Sequence, residues 1–337
     1  MLESNLDVLI LVGTISIMIL IRFIFSPAFH CARHHPDEWL LLHSEETNQQ
    51  KQDTLDKYLL TIVIPAYNES QRLNIMLKDT MDFLQRNANT LCQEFLQYNV
   101  HTSFHTKTPF CIVIVNDGSN DDTVSCAKEF LESSNEYSKI SHDILSLPHN
   151  RGKGAAVKTG MLHSYKNSHM LLMADADGAT NFASIMDLFQ TMLQHSKHSS
   201  SLPVIFGSRA HLSHESKAKR SRIRTWLMQA FHFFVKTLCS RKIHDTQCGF
   251  KLFPSNSIPL LFGNLHLERW AFDTELVVIS ERLGITIEEV AVEWHEVDGS
   301  KLNTSKLALV FNSICMLRDM ICVRLCYSLG YWKLKRM

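Results

Sequence analysis

Apolar and polar positions fall into three regimes along the chain. From Leu6 to Ile21 the run LDVLILVGTISIMILI carries a single charge, Asp7, and after Arg22 the apolar character resumes as far as Phe25. A helix of roughly 20 residues, rising about 1.5 Å per residue, reaches across a ~30 Å hydrocarbon core. The run therefore predicts a membrane anchor over residues 1–26. Glu3 and Asp7 precede it while Arg22 and Arg33 follow, the reverse of a cleaved signal peptide, whose basic residues come first. Positive flanks favour the cytoplasmic side, so the rest of the chain is expected in the cytosol. Residues 27–58 are mostly polar and read as a linker.

The second regime, residues 59–303, alternates short β-branched runs with stretches of helical period. YLLTIVIPAYNE predicts a strand stopped at Pro65, and RLNIMLKDTMDFLQ a helix. FCIVIVNDGS, HDILSLP and HMLLMADAD predict further strands, each followed by a helical segment. Such alternation implies an α/β fold: a Rossmann-like, mostly parallel sheet flanked by helices. The stretch 88–110 is long for a connection and reads as a helix extension plus an excursion. Beyond residue 200 the pattern loosens into a strand at PVIFGSRA, a basic amphipathic helix containing Lys217 and Arg224, a loop and strand at HDTQCGFKLF, a helix at FDTELVVISERLG and a strand at ITIEEVAVEW.

The third regime is 304–337, where LALVFNSICMLRDMICVRLCYSLGYW is apolar but broken by Arg318, Asp319 and Arg324. Those charges argue against a second spanning helix. Two readings stand: an amphipathic segment at a membrane surface, or a helix packed on its own domain.

Charge and cysteine usage narrow the partners. Among 337 residues, 34 Lys+Arg balance 34 Asp+Glu, so no global field favours a nucleic acid. Nine cysteines occur without a C-x-x-C pair, which fits reduced thiols and opposes a disulfide frame or a zinc site. A sequon at Asn68 falls among the candidate site residues, where a glycan would be disruptive; this again favours the cytosolic side.

Ligands of open α/β sheets bind beyond the carboxyl ends of the strands, and four polar clusters occupy those places. In LLMADADGAT, Asp175 and Asp177 follow a buried run, and two carboxylates at i and i+2 suit a hard divalent cation that keeps positions open for phosphate oxygens. Asp117 ends the NDGSNDD strand, placed to accept a nucleobase N–H, while Asp121 and Asp122 read as helix caps. NRGKGAAVKTG lacks the third glycine of a dinucleotide fingerprint, having Val157 there, and lacks Walker spacing. It retains Arg151 and Lys153 at a helix amino terminus, a place that favours a diphosphate.

TIVIPAYNE, VNDGSNDDT, NRGKGAAVKTG and ADADGAT, in that order over 61–180, are similar to the GT-A fold, family 2 glycosyltransferases that use nucleotide-diphosphate sugars. FGSRA, DTQCGFKLF, RWAFDTELV and GSKL extend the likeness to the dolichyl-phosphate β-glucosyltransferases of the endoplasmic reticulum membrane. The resemblance implies inverting transfer of glucose from UDP-glucose to dolichyl phosphate, with Mg²⁺ or Mn²⁺ as cofactor. It implies that Pro65, Tyr67 and Glu69 line the nucleoside pocket, that Asp117 meets the uracil, and that Asp175 and Asp177 hold the metal. It places Arg209 and Lys301 near phosphate, and Asp245, Gln247, Asp273 and Glu275 near the sugar and acceptor. Related mannosyltransferases carry an arginine shortly before G-x-S-K, where this chain has WHEVDGSK with His295. Mannose transfer from GDP-mannose is the alternative donor reading, and an inactive membrane-tethered binding module the alternative class. A processive synthase fits poorly, because its Q-x-x-R-W motif has His266 at the glutamine position.

Overall fold

A computed structural model describes residues 2–31, 57–98, 104, 107–133, 136–196, 202–210, 234, 237–239, 242–297 and 306–336. In chain order the elements are α1 (Leu2–Cys31), β1 (Tyr58–Ala66), α2 (Leu73–Tyr98), β2 (Phe110–Asn116), α3 (Thr123–Ser133), β3 (Ile140–Ser146) and α4 (Lys153–Ser164). They continue as β4 (Ser168–Ala174), α5 (Ile185–Ser196), β5 (Val204–Ser208), β6 (Phe250–Pro254), α6 (Phe272–Leu283), β7 (Ile287–Ala291) and α7 (Lys306–Ser328).

The strands form one seven-stranded sheet in the order β3-β2-β1-β4-β6-β5-β7. Every pairing is parallel except those of β6, which runs against both β4 and β5. Two apolar layers cover the sheet. One packs α2 and α5 residues such as Leu77, Leu84 and Phe189 against Ile62, Ile112 and Leu172. The other packs α4, α6 and α7 residues such as Met161, Leu276 and Val323 against Val63, Val113 and Met173. The alternation of β1 residues between these layers is the period-2 pattern of a strand buried on both faces. Helix α4 sits so close to the sheet that a Cβ on Gly160 would lie 2.5 Å from Val63.

The first strand does not stop at Pro65 as the sequence suggests. Its register with β4 ends at Val63, whereas its register with β2 runs on to Ala66. The Ala66 carbonyl accepts from Asp117 N–H on the β2 side, so Pro65, one residue earlier, turns its missing donor to the side that β4 has already left. The helix extension expected after residue 88 is present, since α2 continues to Tyr98 and Phe95 packs edge-on against Phe104 at 5.8 Å.

Helices α1 and α7 meet, with the Arg318 guanidinium over the Phe23 ring at 5.4 Å. Along α7, Met320, Cys322, Val323, Cys326 and Tyr327 are buried on the domain, whereas Phe311 and Ile314 are exposed. The second half of the segment is thus a helix packed on its own domain. On α1, Ile17 to Ile21 are all exposed. Among the described residues, no helix is long and apolar enough to cross a membrane; the side chains of residues 2–13, on which the anchor expectation largely rests, lie outside that set. The linker residues 32–56, the basic segment from Lys217 to Arg224 and Lys301 also lie outside the described residues.

Candidate active site

The carboxyl ends of β1, β2 and β4 open on a cleft of about 510 Å³, within the usual range for a small-molecule site. Its wall on the β1 side is Pro65, Tyr67 and Glu69; Asp117 closes the β2 end; Asp175 and Asp177 project from the end of β4. Lys153, Arg209, Gln247 and Asp273 complete the set of expected residues that reach it.

The strand-end loops are tied to one another by side chain to backbone bonds. Asn68 adopts a positive φ of 53°, which an asparagine tolerates better than most residues, and its Oδ1 accepts from Asn120 N–H at 2.8 Å. Asp121 Oδ1 accepts from Thr123 N–H at 3.1 Å just before α3, an Asx turn that leads into the helix. Asp117 is buried and accepts from Arg151 N–H and Gly152 N–H, both at 2.8 Å. Burial pushes its carboxyl above the usual range, against those two amides, which hold it down. Its first task is therefore to hold the turn that precedes α4. Asp117→Asn faces one of those amides with an NH₂ group, donor against donor, and leaves it unsatisfied. It is expected to cost about 2 kcal/mol, read as a lower denaturation midpoint.

Asp175 meets a cation supplied by the chain itself. The Lys153 Nζ forms an ion pair with Asp175 Oδ1 at 2.5 Å. Burial acts to lower the lysine's proton affinity, but the carboxylates of Asp175, Asp273 and Asp177 outweigh it and hold the ammonium charged. Asp177 is pushed above the ordinary carboxylate range by burial and by Asp175, against the Ala179 amide that its Oδ1 accepts at 3.0 Å. Gly249 explains how Asp175 is aimed. A Cβ there would lie 2.0 Å from Asp175 Oδ2, so any side chain turns the carboxylate away. Gly249→Ala is expected to reduce catalysis by roughly 100-fold or more, as a misplaced reacting group does, while the melting temperature moves little because Asp175 faces open cleft.

Three expected residues behave differently from the sequence reading. Arg151 does not line the cleft; its guanidinium pairs with Glu268. The amides around it are also engaged, two by Asp117 and Ala155 N–H by the Glu268 carbonyl at 2.9 Å, so Lys153 is the part of that turn that faces a ligand. Asp245 is spent on Arg209 in a fork of two bonds, 2.8 Å from Nε and 2.9 Å from Nη2. Burial tends to raise the Asp245 carboxyl, but the guanidinium wins and holds it below its ordinary value; the arginine keeps a face to the cleft, 5.6 Å from the Trp294 ring. Glu275 is 0% exposed and lies outside the cleft, where it accepts from the His266 and Leu267 amides.

Asp273 does reach the cleft, but on a buried ion pair. Lys251, 0% exposed, donates to Asp273 Oδ1 at 2.6 Å and to the Cys248 carbonyl at 2.5 Å. Burial raises the Asp273 carboxyl despite this partner and Lys153.

Sequence reasoning missed Arg72, Arg269, Trp270 and Trp294, all of which line the cleft. Arg72 pairs with Glu69 through Nη2 at 2.6 Å while its buried Nη1 makes no hydrogen bond. Gln247 Nε2 is likewise buried without a hydrogen bond, and buried donors of this kind are ordinarily satisfied. Both point to a ligand rich in acceptor oxygens. Trp270 is 45% exposed beside Lys153, 5.9 Å from ring to ammonium. Arg269 and Trp270 stand in the RWAFDTE run, which carried the signal; Arg72 lies two residues beyond PAYNES with nothing local to mark it.

Known proteins share this chain's sequence and fold. The family model described as "Glycosyl transferase family 2" matches residues 61–258. A dolichyl-phosphate β-glucosyltransferase of Dictyostelium discoideum is 40% identical over 287 residues, 85% of this chain and 80% of that protein. The Homo sapiens protein of the same name is 36% identical over 312 residues, 92% of this chain and 88% of its own. The crystal structure of glucosyl-3-phosphoglycerate synthase from Mycobacterium tuberculosis in complex with Mn²⁺, UDP and phosphoglyceric acid superimposes with a TM-score of 0.50, at 15% identity over 81% of this chain and 79% of that one. Its likeness is one of fold. On the family match and the identity to these relatives, the chain belongs to glycosyl transferase family 2, as a GT-A-like enzyme of the dolichyl-phosphate β-glucosyltransferase group.

Proposed function

We propose that this chain transfers glucose from UDP-glucose to dolichyl phosphate with inversion at the anomeric carbon, giving dolichyl β-D-glucosyl phosphate and UDP. The observation that carries the reading is the convergence of Asp175, Asp177 and Lys153 with the unsatisfied donors of Arg72 and Gln247 in one cleft. The names of its relatives supply the sugar and the acceptor.

The Asp175 and Asp177 carboxylates suit a divalent cation. They are hard oxygen ligands, both reach the cleft, and Gly249 leaves space only for the Asp175 carboxylate. These two residues would hold Mg²⁺ or Mn²⁺, and the fold relative in complex with Mn²⁺ and UDP supports the same reading. Such an ion supplies Lewis-acid stabilisation of a leaving diphosphate.

The remaining work falls to the chain. Pro65 and Tyr67 bound the nucleoside side. Lys153 and Arg72 bring fixed positive charge to the diphosphate, whose negative charge grows as the bond from the anomeric carbon to UDP breaks. A phosphate oxygen of the acceptor forms the new bond from the opposite face. That oxygen is already ionised at neutral pH, so no proton has to leave in the step. Asp273 and Gln247 orient the sugar, and Arg209 receives the second anion.

The membrane side of the reading rests on exposed apolar residues along α1 and on the first half of α7, including Phe23 and Phe311. A tether of this kind raises the effective concentration of a bilayer-confined acceptor. With Arg22 after the apolar run, the catalytic domain faces the cytosol at the endoplasmic reticulum membrane.

The test is transfer of radiolabelled sugar to dolichyl phosphate by the full chain in bilayers, with UDP-glucose and GDP-mannose compared with and without Mn²⁺. Metal-dependent labelling from UDP-glucose alone is expected. Labelling from GDP-mannose alone would overturn the donor, and none from either would put a binding module in its place.

A further inference from the structure

The loop from Asn264 to Trp270 connects the carboxyl-terminal tail to the cleft. At its tail end, Asn264 Nδ2 donates to the Lys335 carbonyl at 3.1 Å and its Oδ1 accepts from Lys335 N–H at 2.7 Å. His266 lies flat on Trp332, with ring centroids 4.0 Å apart and planes within 2°. The buried Glu275 carboxylate gathers four donors from this region: His266 N–H at 3.1 Å, Leu267 N–H at 2.7 Å, His266 Nδ1 at 2.9 Å and the Tyr327 hydroxyl of α7 at 2.9 Å.

At its cleft end the same loop lies directly on the turn that presents Lys153. The Glu268 carbonyl accepts from Ala155 N–H, and the Glu268 carboxylate pairs with Arg151. A Cβ on Gly152 would lie 2.7 Å from the Glu268 carbonyl oxygen, and one on Gly154 2.7 Å from that of Leu267. There is no slack between the two backbones, so a shift of residues 266–268 moves the turn and, with it, Arg269 and Trp270.

We infer that Glu275 and Tyr327 are positioning residues of the cleft: they fix the 266–270 loop, and through it the Lys153 turn, so that docking of the carboxyl-terminal helix is a condition of tight donor binding. The reading of this cleft as a UDP-sugar site underlies the donor half of the inference; the mechanical half stands on contacts alone. A carboxylate serving four donors resists replacement, and the hydroxyl of Tyr327 is the member that can be removed without changing shape.

The experiment compares the full chain in bilayers with Tyr327→Phe, and with Val323→Ala as a control that removes buried α7 packing one turn before Tyr327 but none of the network's hydrogen bonds. Amide exchange over residues 151–156 is measured without ligand, and UDP binding beside it. Tyr327→Phe is expected to speed that exchange and weaken UDP about tenfold, as loss of a bond to a charged group does. The KM for the donor rises while that for dolichyl phosphate holds. Val323→Ala is expected to lower the melting temperature without either change. Unchanged exchange in Tyr327→Phe, or equal acceleration in Val323→Ala, overturns the inference. If the wild-type chain does not bind UDP, the donor assignment fails while the exchange comparison still decides the coupling. Trp332→Leu, which removes the stack on His266, gives a second measurement of the same kind should Tyr327→Phe not fold.

Discussion

Replacing Asp175 by asparagine should lower glucosyl transfer by about 10³-fold or more, the scale on which removal of an electrostatic stabiliser of a developing charge is felt. The substitution is isosteric and leaves β4 intact, since Ala174 before it keeps its pairing with Phe250. What disappears is one negative charge in contact with Lys153. The lysine retains Asp177 and Asp273 as neighbours, so folding is expected to suffer little. The check is a transfer assay beside a thermal melt. Activity within tenfold of wild type would remove Asp175 from the mechanism, and a collapse of the melting temperature would make it a structural residue.

Lys251→Met should destabilise the protein by about 3 kcal/mol, the lower end of the cost of breaking a buried pair, because Lys153 still faces Asp273. The methionine keeps the length of the side chain but loses the ammonium, which lies 4.7 Å from the centre of the Phe206 ring. Asp273 is then left 2% exposed without its nearest cation, and its carboxyl, already raised, rises further. A carboxyl raised above its unfolded value makes the folded state take up a proton, so stability grows as pH falls into the raised range. The deficit of Lys251→Met against wild type is therefore expected to shrink between neutral pH and the top of the ordinary carboxylate range. Denaturant midpoints at two pH values measure it. A deficit independent of pH would mean that the loss comes from packing alone.

Much of this architecture was legible before any coordinates. The first four strands and their helices follow from period and β-branching, because each is a local pattern with both faces buried. The rim residues Tyr67, Glu69, Asp117, Asp175 and Asp177 were reachable by one rule, that ligands bind beyond strand ends. What stayed hidden depends on pairing across long sequence distances. Nothing near Asp245 shows that it will be spent on Arg209, 36 residues away, and nothing near Glu275 shows a carboxylate turned inward to amides rather than outward to a sugar. Arg151 was misassigned for the same reason: a cation at a helix start suits a diphosphate, until Glu268 arrives from 117 residues later in the chain. The glycine at 249 could be read in the sequence but not interpreted, since its contact with Asp175 exists only after β6 has joined β4.

That late arrival of β6 has a consequence for the chain as it is made. β5 has no ladder to β4; its neighbours are β6 and β7, both encoded after residue 249. A ribosome that has delivered residues up to β5 has therefore released the β3-β2-β1-β4 half with a bare edge on β4, and with Asp175 and Lys153 still open to solvent. The pairings that cover them span long loops and close late. During that interval the unpaired edge of β4 is the point at which aggregation would start.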